Sequence, residues 1–306
     1  MQPLRGILFK VLSVCMFMAM ASLIKAASAD VPPGQAVFFR AFFALPIILG
    51  WLAIRGELRH GWKTKNPIGH FWRGLVGTSA MGLGFTGLGL LPLPEVTAIG
   101  YAAPLLVVIF AAMFLNEDVR AFRLSAVGLG MVGVLIVLSP RLSVGASLNS
   151  AETLGAIVVL MGAVLAALAQ VFVRKLVATE GTAAIVFWFT VTSSVLSLFT
   201  VPWGWVAPSW PIAGLLVVAG LLGGIGQIFL TSSYRFADAS LVAPFDYTSM
   251  ILALTIGYFV FDEVPTRTML IGAGIVISAG VLIIWRERQL GLQRAQQRKA
   301  TGNIGG

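Results

Sequence analysis

The chain has 306 residues, 58% of them hydrophobic and only 11% charged, with a net charge of +9. A water-soluble domain carries about a quarter charged residues, so a chain with a mean hydropathy of +0.93 lacks the polar surface to face water on all sides. The basic charge falls between apolar runs and in the tail, which argues against a nucleic-acid partner, and a single cysteine, Cys15, excludes an intramolecular disulfide framework.

A helix crossing the hydrocarbon core needs about 20 mostly apolar residues. Segments of that kind lie near 8–28, 34–54, 72–91, 95–115, 122–139, 154–173, 182–201, 211–233, 239–260 and 267–285. The expected fold is therefore an all-α integral membrane protein of ten transmembrane helices. Short connections leave no room for a soluble catalytic domain.

In chain order, the first span follows Arg5 and contains Lys10, and it ends in "AASAD", which has the A-x-A form of a signal-cleavage site at Ala27–Ala29. It is read as an uncleaved span, because the repeat described below needs five spans per half. Lys25 lies close enough to the outer boundary to snorkel. Arg40, several residues inside the second span, is placed either against substrate or in a pair with Glu95 or Asp30. His60 and His70 share the next connection, with no acidic or Cys cluster to make a metal site. The third and eighth spans are dense in glycine (Gly74 to Gly89 and Gly214 to Gly226), which suits close helix approach. Pro104 and Pro244 interrupt the fourth and ninth spans. Gln170 and Gln227, inside the sixth and eighth, have interhelical hydrogen bonding as their default role. Trp203, Trp205 and Trp210 form an interfacial aromatic anchor. The basic tail, 287–306, is expected to be cytoplasmic and disordered.

Orientation follows from the Lys/Arg bias. With the N-terminus inside, seventeen basic residues fall on the cytoplasmic side, Lys10 and Arg73 among them. Four (Lys25, Arg40, Arg141 and Arg267) fall on the other. Both termini are expected in the cytoplasm.

"VTAIGYAAPLLVVIFAAMFLNE" (96–117) aligns without gaps on "VAPFDYTSMILALTIGYFVFDE" (242–263), an offset of 146 residues. Val96/Val242, Tyr101/Tyr247, Leu106/Leu252 and Glu117/Glu263 coincide, Leu124 and Gly128 match Leu270 and Gly274, and each half runs into "GVLI". Five spans per half is an odd number, so the second copy enters the membrane from the opposite side. Such inverted five-helix repeats are expected of secondary transporters.

Those closings, Asn116-Glu117 and Asp262-Glu263, each followed by a glycine-containing span ending in "GVLI", resemble the drug/metabolite transporter superfamily and its EamA-type members. Arg40 in "FFRAFFALP" resembles the Arg common in that family's second span. The resemblance runs from about residue 8 to 286 and implies a first repeat over 8–139, a second over 154–286, and a central cavity open alternately to either side. Within the superfamily, "PFDYTSMILALTIGYFVFDEVPT" looks most like the riboflavin and S-adenosylmethionine branches. Riboflavin uptake across the bacterial inner membrane is the first expectation. Uptake of S-adenosylmethionine and export of amino acids or other metabolites are the alternatives.

Asp246 is the sharpest residue-level signal. An Asp at the centre of an inserted helix costs about 2.5–3.5 kcal/mol, and intramembrane ionisable groups are functional candidates by default. The candidate substrate contacts are Asp246, Tyr247, Tyr101, Arg40, Gln170 and Gln227. Tyr247, adjacent in sequence to Asp246, is expected to point elsewhere around the helix. Glu117 and Glu263 are expected at the water boundary, capping or pairing with Arg120, Arg123 or Arg267. No enzyme activity, catalytic residue, metal or cofactor is expected. "GLGFTG" (82–87) lacks the strand a dinucleotide site requires, and in "GELRHGWKT" Trp62 separates Gly61 from the Lys of a P-loop pattern. The partners are a small molecule and the lipid bilayer, with homodimerisation left open.

Overall fold

The computed structural model describes residues 3–115, 121–142, 150–177, 179–236 and 243–302. Twelve α-helices lie within them. They are α1 (Pro3–Ala27), α2 (Pro33–Phe42), α3 (Ala44–Ile54), α4 (Pro67–Leu90), α5 (Leu93–Gly100), α6 (Ala102–Leu115), α7 (Ala121–Leu142), α8 (Ser150–Val177), α9 (Thr182–Leu198), α10 (Trp210–Phe236), α11 (Thr248–Phe261) and α12 (Arg267–Gly302). A 3₁₀ turn, Ala243–Tyr247, leads into α11. Seven helical stretches are long and apolar enough to cross a membrane. The shorter apolar Thr182–Leu198 and Phe245–Phe261, with the glycine-diluted α4, bring the crossings among the described residues to ten. The protein is an all-α membrane protein.

Prolines set several of the boundaries. Pro33 and Pro67 open their helices at the first position, where no amide hydrogen bond is lost, and the Asn66 side chain accepts from the Gly69 amide to cap α4. Within a helix a proline removes the bond to the carbonyl four residues back and crowds it. α2 ends at Phe42 and α5 at Gly100, four residues before Pro46 and Pro104, so the second and fourth crossings are each made of two helical pieces. α4 begins five residues earlier than the span expected from hydropathy, so His70 lies inside a helix and is buried. At the other extreme, α12 continues to Gly302 instead of ending near Trp285. The tail's Arg, Gln, Leu and Ala are strong helix formers that carry the helix on where hydropathy stops.

The largest helix pairings correspond between the two halves of the chain. α1 packs along α10 as α4 packs along α8, α7 packs on α12, α2 packs on α9, and α5 packs on α11. α7 and α12 cross closely at Gly133 and Gly272, where a Cβ on either would come within 2.8 Å or less of the other's carbonyl oxygen. One apolar core joins α5 to α8 with α11 and α12 around Ile99, Leu105, Val134 and Val276. A second joins α1, α2, α4 and α10 around Ile24, Val37, Leu88 and Leu216, and a smaller third joins α3 to α9 around Ile48, Leu52 and Val186. Large apolar side chains such as Leu135, Met161, Phe199, Ile251 and Phe259 point outward, as a lipid-facing surface requires. The first helix belongs to the core: Ile24 and Ala27 are fully buried.

Candidate functional site

A cavity of about 690 Å³ opens at the end of the bundle where α1 begins and α10 ends. Its wall takes Lys10, Ser13 and Phe17 from α1, Arg73 from α4, and Tyr101 and Pro104 from the broken crossing. Gln170 of α8, Thr182 and Ile185 of α9, Gln227 of α10, and Asp246, Tyr247 and Ser249 of the ninth crossing complete it.

Five of the six residues singled out from sequence therefore meet at one cavity: Asp246, Tyr247, Tyr101, Gln170 and Gln227. Asp246 and Tyr247 both line the cavity, although neighbours in the 3₁₀ turn point about 120° apart. Asp246 accepts an ion pair from Lys10 Nζ at 2.7 Å, with the lysine side chain buried and the carboxylate side chain half exposed. The tyrosines stand edge to face at 5.1 Å, bringing the two repeat-matched residues together. Ser249 donates to the Asp246 carbonyl at 2.6 Å, which leaves its oxygen to accept from the Tyr101 hydroxyl, also at 2.6 Å. Gln170 and Gln227 do not form the interhelical hydrogen bonds expected of them. Neither amide has a partner among the described residues, so both remain available to a ligand.

Arg40 is the sixth, and it does not line the cavity. It is buried behind the wall with its guanidinium carbon 5.8 Å from the Phe189 ring centroid. Neither expected acid, Glu95 or Asp30, is its partner among the described residues; Arg141 takes Glu95 at 2.9 Å and also pairs with Glu152. Sequence reading treated Lys10 and Arg73 only as cytoplasmic charges. Their position inside the hydrophobic runs, as with Asp246, was the signal that marks them as cavity residues.

The opposite end is closed. Lys25 does not snorkel: its ammonium pairs with Glu263 at 2.8 Å and donates to the Leu88 and Leu91 carbonyls at 3.1 and 2.7 Å. Glu263 correspondingly pairs with Lys25, not with Arg267, and also accepts from the Leu93 amide. Local backbone geometry directs it there. Asp262 adopts a left-handed conformation, φ 54°, which Asp tolerates better than most residues, and the Glu263 amide folds back to the Gly257 carbonyl. The matching Asn116-Glu117 and the side chain of Pro244 lie outside the described residues. Of the tryptophans, Trp203 and Trp210 project outward, whereas Trp205 packs against Phe38.

A bundle of membrane crossings, with a cavity carrying polar and charged groups open at one end and a buried ion pair at the other, has the form of a membrane transporter. The chain belongs to the EamA-like transporter family, whose sequence profile matches residues 4–139 and 153–285. It is similar to the S-adenosylmethionine uptake transporter of Rickettsia felis, 29% identical over 255 residues covering 83% of this chain and 84% of that one. It is also similar to the pseudopaline exporter of Pseudomonas aeruginosa, at 28% identity over 91% and 95% of the two chains. The riboflavin transporter of Rhizobium johnstonii matches at 26% over 84% and 82%. A solved crystal structure sharing 20% identity superposes with a TM-score of 0.65 over 93% of this chain and 98% of that one, which shows the same fold.

Proposed function

We propose that the protein is a secondary transporter that carries a small metabolite bearing a cationic amine across the bacterial inner membrane. Both termini are cytoplasmic, the two repeats (8–139 and 154–286) rock against each other, and the open cavity faces the cytoplasm. The observation that carries this reading is the half-exposed Asp246 carboxylate, held by Lys10 at the wall of a cavity large enough for a nucleoside-sized molecule. An arriving ammonium exchanges with Lys10 at that carboxylate, and the unpartnered Gln170 and Gln227 amides supply hydrogen bonds to its polar body. S-adenosylmethionine, which has an α-ammonium and a sulfonium, fits these groups better than neutral riboflavin, and similarity to the uptake transporter of Rickettsia felis supports it. The tyrosine pair favours riboflavin as the second reading, since Tyr101 and Tyr247 offer faces on which a flat ring system stacks.

Uptake into proteoliposomes separates the two. Saturable accumulation of labelled S-adenosylmethionine, depressed in D246N, is expected. Counterflow of riboflavin with no entry of S-adenosylmethionine would exchange the two readings, and failure of both compounds would remove the proposed cargo.

A further inference from the structure

The α4–α9 wall of the cavity holds positive charge that no carboxylate in the described fold neutralises. Arg73 places its guanidinium carbon 3.4 Å from the centroid of the Phe189 ring, and Arg40 approaches the same ring at 5.8 Å. Arg40 is only 6% exposed. The Nε atoms of both arginines, and Nη1 of Arg73, are shut from solvent with no hydrogen-bond acceptor. Cation–π attraction to one shared ring offsets only part of the cost of burying two like charges.

Five acidic residues of the described fold are engaged elsewhere. Asp246 holds Lys10, Glu263 holds Lys25, and Glu95 and Glu152 hold Arg141. Glu180, beside α4, accepts from the Lys65 and Asn66 amides and the Thr64 hydroxyl, and lies 3.8 Å from His70. The surrounding helices leave space for the guanidinium groups. A Cβ at position 77 would come within 2.9 Å of the Phe189 ring and 3.2 Å of Arg73 Nη1, and one at position 223 within 3.1 Å of Arg40 Nε. Glycine at both places keeps the arginines in position.

We propose that Arg73, backed by Arg40, is an anion subsite of the cavity that receives a carboxylate of the transported molecule. Arg73 Nη2, the guanidinium nitrogen that is not sealed, can give a carboxylate a charge-assisted hydrogen bond. Asp246 lines the same cavity, so the site as a whole selects a zwitterion, with the ammonium at Asp246 and the carboxylate at Arg73. This rests on the transport reading above and narrows its substrate class.

The test is ligand-induced thermal stabilisation of the purified full chain in detergent. The probes are S-adenosylmethionine, its decarboxylated form, its α-keto analogue, and chloride or phosphate alone. S-adenosylmethionine is expected to bind wild type about 10- to 100-fold more tightly than the decarboxylated form. R73Q abolishes that difference, R73K retains part of it, and D246N leaves it intact. Equal binding of the two compounds by wild type, undiminished discrimination in a folded R73Q, or silence from every probe would overturn the subsite. So would stabilisation by chloride or phosphate with no discrimination among the organic probes, which would make the arginines a structural counter-ion site. Binding of the α-keto analogue that needs Arg73 but is as tight as that of S-adenosylmethionine sustains the anion subsite while sinking the amine reading at Asp246.

Discussion

The two ends of the bundle are joined by the same two elements in opposite conditions. α1 contributes one cation to each, Lys10 and Lys25, and the ninth crossing contributes one acid to each, Asp246 and Glu263. Fifteen residues of helix separate the lysines, roughly 22 Å at 1.5 Å per residue. At the closed end both side chains of the pair are 13% exposed and are braced by the backbone at Leu88, Leu91 and Leu93. At the open end the carboxylate side chain is 50% exposed and borders the cavity. The chemistry of the pairs is alike, and what differs is the exposure of the acid. A dry, braced pair resists exchange, whereas a wet one lets a ligand compete for its acid, as alternating access requires of a gate and a binding group.

The largest break in that contrast is at Asp246. Removing the acid leaves the buried Lys10 ammonium without this counter-charge, at less than the about 3–5 kcal/mol of a fully buried pair because the Asp246 side chain is half exposed. D246A is expected to lower both uptake and membrane protein level, and the double variant D246A/K10M to restore the level but not the uptake. D246N, which keeps the shape, is expected to cut uptake by about 10- to 100-fold at unchanged abundance. Normal uptake by D246N would leave the carboxylate with a purely structural part.

Opening the braced end gives the next largest effect. K25M leaves Glu263 with only the Leu93 amide, whereas E263Q leaves Lys25 still held by two carbonyls. With Cys15, the single cysteine, replaced by serine and a reporter cysteine placed at Leu91, K25M is expected to raise labelling by an impermeant maleimide roughly tenfold. E263Q is expected to raise it less. The reverse order, or no change in either, means that the pair does not hold this end shut.

Which parts of this were legible in the sequence follows from the physics of each signal. The crossings were readable because hydropathy over about 20 residues reports burial in lipid directly. Tyr101 and Tyr247 were found as partners through the repeat, and they do touch. Lys25 and Glu263 were assigned to water because each lies near a span end, and only the left-handed turn at Asp262, a backbone property, directs Glu263 inward. Gln170 and Gln227 were given to interhelical bonds because the hydrophobic pattern does not tell a helix interface from a cavity wall. Glycine density indicated close approach correctly at Gly77 and Gly223, but Gly82 and Gly84 in the same run face open space.

Gly280, packed against Tyr247 of the cavity wall, allows a smaller test. A Cβ there would overlap the Tyr247 hydroxyl. G280A is expected to displace the ring from Tyr101, costing about 1–3 kcal/mol of stability, with a few-fold loss of uptake that the pairing of Y247F with G280A partly relieves. A melting temperature unchanged by G280A would show that Tyr247 is not confined there.

The smallest effect belongs to the rigid rim of the open end. Glu180, in the turn between α8 and α9, staples the connection before α4 through the Lys65 and Asn66 amides and the Thr64 hydroxyl. Burial pushes its carboxyl upward, but those hydrogen bonds and the neighbouring His70 outweigh it and hold the group below its usual value of 4.5. Because the folded state binds this proton less readily than the unfolded chain, the stabilisation is complete above about pH 5 and disappears as pH falls through the folded-state pKa. E180Q is expected to melt below wild type at pH 7, with the gap closing as the pH is lowered beneath 4.5. A gap that widened on acidification would require a raised pKa and a different set of partners for this carboxylate. Because the staple ties the connection before α4 to the turn before α9, its loss should loosen the rim without touching the Lys25–Glu263 closure. The maleimide labelling of the closed end in E180Q should therefore match that of wild type.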